Sequence, residues 1–96
     1  MTKSEKNAYQ ILKNEGYLVE RPVRTRWHRI DFFNLFDFIA VKEDKIRFIQ
    51  VGVKYLSERP KEWQERFKNF PLPPNSTKEY WRWDRKKKVF IKENFN

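Results

Sequence analysis

Ninety-six residues make one small domain, with room for a modest core and not for two. The chain carries 22 Lys and Arg against 13 Asp and Glu, a net charge of +9, and 18% of it is aromatic. This excludes a disordered basic tail and suits a folded domain with a polyanionic partner, a charge-rich thermophilic surface being the plainer alternative. With no cysteine and a single histidine, His28, thiolate and multi-histidine metal sites are excluded, so any metal ligands are oxygens. No signal-peptide core and no apolar run near the ~18 residues of a membrane span are present, so a soluble, cytoplasmic protein is expected.

Thr2-Lys3-Ser4-Glu5 reads as a capping box that opens a helix. Ala8, Ile11 and Leu12 follow at helical spacing, and Gly16 is placed as the C-terminal stop. Residues 17–24 suit a first strand, with Pro22 marking it as an edge or bulged element. Residues 25–34, TRWHRIDFFN, are basic and aromatic and suit a loop or irregular strand. Residues 35–41 and 45–54 are rich in β-branched and aromatic side chains and read as strands around the turn Glu43-Asp44. Ser57 can cap a second helix with Pro60 in its first turn, and Trp63, Phe67 and Phe70 fall on its buried face. Residues 71–76, PLPPNS, are a stiff connection. Residues 79–83 and 89–92 suit two final strands around the basic turn Asp84-Arg85-Lys86-Lys87-Lys88. The order α-β-β-β-α-β-β predicts an α/β fold, a mixed sheet flanked by helices, in one domain spanning residues 1–96.

A two-residue loop at Glu43-Asp44 pairs Lys42 with Lys45 and sets Asp37 directly opposite Gln50, with β-carbons about 5 Å apart. Strand alternation then puts Gly52 and Lys54 on the face of Gln50, and Phe36, Phe38, Ala40, Ile49, Val51 and Val53 on the apolar face. A carboxylate in mid-strand is unfavourable and costly to desolvate without a partner. Asp37 and Gln50 are therefore either oxygen ligands of a hard divalent ion such as Mg2+, or a simple hydrogen-bonded pair, or Asp37 caps backbone amides at a strand end.

Glu5 on the first helix, Asp37 in LFDFIAV and Gln50-Val51-Gly52 in FIQVG together resemble the PD-(D/E)XK nuclease superfamily. Within it, the chain is most similar to small Holliday-junction-resolvase-like and phage-type proteins, over roughly residues 3–83. The resemblance implies a restriction-endonuclease-like fold, Mg2+ or Mn2+ held by Asp37 and Gln50, and Glu5 as an assisting acid. The lysine that such enzymes carry two residues after the Glu or Gln is replaced by Gly52. Lys54, one pleat further along the same face at about 7 Å, is the candidate substitute. Glu5 is equally the acid of the capping box. Asp31 is either a second acid at the cleft rim or the partner of Arg29 or Arg26. Gly52 marks either a bulge or room for a phosphate.

Arg21, Arg24, Arg26, His28 and Arg29 interleave with Trp27, joining phosphate-neutralising cations to a ring that can stack on a base. Arg59, Lys61, Arg66 and Lys68 give the second helix a basic surface, and Arg85, Lys86, Lys87 and Lys88 arm a hairpin tip. Such runs are ordinarily solvated faces. Three of them around one candidate metal site point instead to DNA phosphates, read by backbone and shape. Trp81 and Trp83 share a strand face and read as core or dimer interface. The expectation is a metal-dependent endonuclease-type domain acting on DNA, including branched DNA such as Holliday junctions, and homodimeric because cutting two strands needs two sites. The alternatives are a catalytically inactive DNA-binding module of the same fold and a small basic protein-interaction domain.

Overall fold

The computed structural model describes residues 1–23 and 31–95. The elements follow in the order α1 (Lys3–Asn14), β1 (Leu18–Glu20), β2 (Phe38–Lys42), β3 (Lys45–Gly52), α2 (Lys61–Asn69), β4 (Ser76–Asp84) and β5 (Val89–Phe95), with one 3-10 turn, Leu56–Glu58, ahead of α2. The five strands lie side by side in chain order, β3 and β4 parallel and every other pair antiparallel. This is a mixed α/β fold in the predicted element order. Among the described residues no helix is long and apolar enough to cross a membrane.

α1 opens where Thr2 Oγ1 accepts the Glu5 N–H at 3.2 Å. It closes with two backbone bonds, Gly16 N–H to Lys13 O at 3.0 Å and Tyr17 N–H to Leu12 O at 3.1 Å. That ending requires a left-handed residue, and Gly16 supplies it at φ +89. β1 is shorter than the predicted residues 17–24. Buried Pro22, which has no N–H to offer a ladder, lies two residues beyond its end.

The β2–β3 hairpin turns at Glu43 and Asp44 and pairs Lys42 with Lys45, as its loop length predicts. β2, however, begins at Phe38 rather than at residue 35. The cause is a tight turn just before it, with Phe33 and Asn34 at φ 54 and 56. Phe32 and Phe36 exchange backbone bonds across this turn, at 2.9 and 3.0 Å. Phe36 therefore leaves the face of Phe38 and Ala40 and packs on the other side, its ring 5.5 Å from Phe48 and 5.8 Å from Phe67. Strand alternation misplaces this residue because the strand has not yet begun.

Each face of the sheet carries one helix. Ala8 and Leu12 of α1 pack on Phe38, Ala40, Ile49, Val51 and Trp81. Trp63 and Phe67 of α2 pack on Phe36, Phe48 and Tyr80. α2 begins after Pro60, so Ser57 belongs to the preceding 3-10 turn and does not cap the helix. Its far end is closed from β4, where Lys78 Nζ donates to Phe67 O at 2.8 Å and Lys68 O at 2.6 Å. The ammonium thus serves carbonyls of the last turn, where Phe67 O otherwise accepts only the capping Phe70 N–H at 3.3 Å. Desolvation holds its pKa below the usual lysine value.

The parallel seam carries a buried ion pair. Glu79, 1% exposed, accepts from Arg47 Nε and Nη2, both at 2.7 Å, from Thr77 Oγ1 at 2.6 Å and from Trp81 Nε1 at 3.0 Å. Burial pushes the Glu79 carboxyl up, but these donors outweigh it, led by Arg47, and its pKa ends below the ordinary 4.5. A carboxyl depressed on folding stabilises the fold above its unfolded pKa and loses that contribution as pH falls through the folded value. Glu79→Gln is expected to cost about 3–5 kcal/mol at pH 7 by removing the buried partner of Arg47 and leaving its charge only the more exposed Glu15, at 3.6 Å. Urea unfolding measures it. Below pH 4.5 the wild type should lose stability more steeply than the variant, and parallel profiles would refute this role.

Candidate functional site

Three polar side chains singled out from the sequence are buried: Asp37 at 4% exposure, Gln50 at 5% and Glu5 at 6%. Asp37 sits where β2 starts. Its N–H donates to Ile49 O at 2.8 Å, and its Oδ2 accepts the Val51 N–H at 2.8 Å. In a continued antiparallel ladder the Val51 amide would find the carbonyl of residue 36. That carbonyl is taken by Phe32, so the Asp37 carboxylate replaces it. The paired register stops at Phe38–Ile49. Asp37 and Gln50 therefore do not form the directly opposed pair that the hairpin register predicts, and the carboxylate meets β3 along its edge.

Gln50 lies on the α2 face of β3, in register with Tyr80. Its Nε2 donates to Val51 O at 3.3 Å, while its Oε1 is buried without a hydrogen-bond partner. Gly52 continues the same face in regular pairing with Arg82, so it marks no bulge. A β-carbon there would meet only Tyr80 Oη, at 3.7 Å, an ordinary contact. Lys54 lies beyond β3 and is exposed, and its carbonyl accepts the Tyr80 hydroxyl at 2.8 Å. Burial pushes the Tyr80 phenol up, and the charge of Arg59 opposes that push.

Past the carboxyl ends of β3 and β4 run two adjoining clefts, of about 440 and 350 Å³. Open α/β sheets commonly bind ligands at this end of their parallel strands. The first cleft brings Glu5 of α1 against Val51, Gly52 and Arg85. The second is lined by Tyr55, Arg82, Trp83, Arg85 and Lys86. The Arg82 guanidinium lies 4.1 Å above the Tyr55 ring. Neither Arg82 nor Tyr55 stood out in the sequence. The signal for Arg82 was its place between Trp81 and Trp83, which alternation turns to the opposite face.

The other basic residues divide. Arg85, Lys86 and Lys87 are exposed on the β4–β5 turn, which Asp84 fixes by accepting from Lys86 N and Lys87 N at 2.9 Å each. Lys61 and Lys68 are exposed on α2, whereas Arg66 Nη2 is tied to Phe33 O at 2.6 Å. Arg59 is half-buried, its guanidinium 4.1 Å above the Trp63 ring. Arg24, Arg26, Trp27, His28 and Arg29, and with them the Asp31 pairing with Arg26 or Arg29, lie outside the described residues. Trp81 is core and Trp83 lines both clefts.

Among the described residues no group of three or more His, Asp or Glu side chains gathers as metal ligands. What exists for a hard cation is the Asp37 carboxylate and one orphaned amide oxygen, on Gln50, next in sequence to Val51, whose amide that carboxylate holds. Asp37→Ala is expected to strand the Val51 amide at a cost of about 1–3 kcal/mol, whereas Asp37→Asn keeps an oxygen acceptor and loses less. Equal losses in urea unfolding would remove the amide-capping role.

Comparison with protein-family models, with curated proteins and with solved structures finds no match to this chain.

Proposed function

We propose that this chain is a nuclease-type domain that binds DNA through its phosphate backbone and acts on phosphodiester bonds with Mg2+ or Mn2+ held at Asp37 and Gln50. The observation that carries this reading is Gln50 Oε1, a buried acceptor with no partner, one residue from the amide that Asp37 holds. A hard cation fits such a donor set when substrate phosphates and water supply its remaining ligands. The element order and the basic clefts agree with a restriction-endonuclease-like domain engaged on DNA, including junctions.

When bound, the ion supplies an acidified water and charge neutralisation at the phosphate. The chain's own groups do the rest. Asp37 is oriented by the Val51 amide, Glu5 offers a carboxylate from the far wall of the first cleft, and Lys54 brings positive charge at the end of β3. Arg82, Arg85, Lys86 and Lys87 hold the backbone, joined by Lys61 and Lys68 from α2. Cutting both strands calls for a symmetric homodimer.

With Mg2+ or Mn2+, the wild type is expected to nick supercoiled plasmid or four-way-junction DNA. Asp37→Asn should bind the same DNA and leave it intact. A wild type that binds and never cuts removes the enzyme reading. DNA affinity should fall steeply with salt, and removing Arg85, Lys86 and Lys87 together should lower the slope of log K against log salt by roughly three. An unchanged slope would take the hairpin tip out of the interface.

A second reading, a DNA-binding module that no longer cuts, is favoured by Gly52 standing where nucleases of this type carry lysine. The open space at that position separates the two. Gly52→Lys should fold normally, and in a module silenced only by the missing lysine it should switch cleavage on. If the variant folds and remains inert, the missing lysine alone does not explain the silence.

A further inference from the structure

Two buried side-chain polar atoms among the described residues have no hydrogen-bond partner, Gln50 Oε1 and Arg59 Nε. Buried groups of this kind are ordinarily satisfied, because an unmade bond costs free energy. One of the two is an acceptor and the other a cationic donor, so each is chemically fit to satisfy the other, yet they are not bonded.

Both stand beside the same side chain. Gln50 is in register with Tyr80 across the parallel seam, so the two residues share a face. The Arg59 guanidinium sits over Trp63, whose ring packs edge-on against Tyr80 at 6.0 Å. The Tyr80 hydroxyl, donated to Lys54 O, points toward the bare position left by Gly52, 3.7 Å from where a β-carbon would be. Burial raises the pKa of this hydroxyl, and the charge of Arg59 and a hydrogen bond from it oppose that rise. Tyr80 thus neighbours an amide acceptor and the bare position at Gly52, and through Trp63 it adjoins a guanidinium donor.

We propose that Arg59 and Gln50 are two halves of one phosphate-binding subsite built around Tyr80. The inference rests on the nucleic-acid reading above and names the atoms that meet a phosphate. A phosphate oxygen accepts the Arg59 Nε–H in a charge-assisted bond, with the guanidinium already held over the Trp63 ring. Gln50 Oε1 is an acceptor and cannot bond a phosphate oxygen. It takes the divalent ion or water that the same phosphate binds. Arg59 thereby brings to the Gly52 position a positive charge that β3 itself does not carry there.

The test is calorimetric titration of the whole chain with inorganic phosphate and with a short DNA duplex, each with and without Mg2+. Arg59→Lys keeps the charge and the stem but lacks Nε, and Arg59→Gln is a second variant should the first be unstable; thermal unfolding confirms the fold of each. Arg59→Lys should bind ~10-fold more weakly than wild type. Gln50→Leu should abolish the strengthening that Mg2+ gives, and a strengthening that persists in this variant removes Gln50 from the subsite. Weakening with inorganic phosphate identifies a free or terminal phosphate as the ligand, and weakening with duplex alone identifies a backbone phosphodiester. Equal affinities of wild type and both Arg59 variants for both probes, or a wild type that binds neither, overturn the proposal. Arg59-dependent binding without any cleavage leaves the subsite standing and removes the nuclease reading, whereas cleavage with Arg59-independent binding does the reverse.

Discussion

The seam between β3 and β4 holds the domain together. On one side of it lie α1 and the β1–β3 meander, on the other the β4–β5 hairpin, and among the described residues the parallel pairing is the only one between them. Arg47 and Glu79 cross this seam on the α1 face with two bonds of 2.7 Å, and Thr77 and Trp81 complete the carboxylate's shell. On the α2 face Lys78 ties the start of β4 to the end of the crossover helix. A buried charge pair adds less net stability than its Coulomb energy suggests. Its geometric demand is what matters here, since a β4 slipped by one residue would turn Glu79 to the wrong face.

The candidate site takes its form from an interruption. A hairpin strand extending back through residues 35–37 would bring Asp37 face to face with Gln50 and give the Val51 amide an ordinary carbonyl. Because the chain bends at Phe33 and Asn34, the Val51 amide turns to the aspartate, and the Gln50 amide nitrogen, which an opposed carboxylate would have accepted from, donates to Val51 O instead. The same bend sends Phe36 to the α2 core, where it packs against Phe48, Phe67 and Phe70. The polar arrangement at the start of β2 is thus coupled to the aromatic packing beside it.

Much of the architecture was legible because its signals are local. The Thr2 cap, the Gly16 stop, the two-residue turn at Glu43-Asp44 and the Trp63–Phe67–Phe70 stripe each act within a few residues, and together they specify element order and hairpin register. What was not legible depends on distance or on the backbone's handedness. Arg47 and Glu79 are 32 residues apart and each reads alone as a surface charge. Lys78 reads as solvent-facing until the end of α2 is seen to need a donor. Positive φ at Phe33, an aromatic residue, is set by tertiary packing, not by propensity. For the site, sequence identified Glu5, Asp37 and Gln50 as unusual, and only coordinates distinguish the partnered carboxylate from the orphaned amide oxygen.

The parallel seam also bears on how the chain assembles. Both hairpins close over short turns, and contacts of that range form in microseconds. The seam joins strands separated by the whole crossover, so its loop-closure entropy is spent before most of its contacts form. The topology therefore puts the rate-limiting encounter at Ile49, Val51 and Trp81, where the two preformed halves first share a core. Truncating these side chains should slow folding more than it speeds unfolding, a contrast that chevron plots resolve.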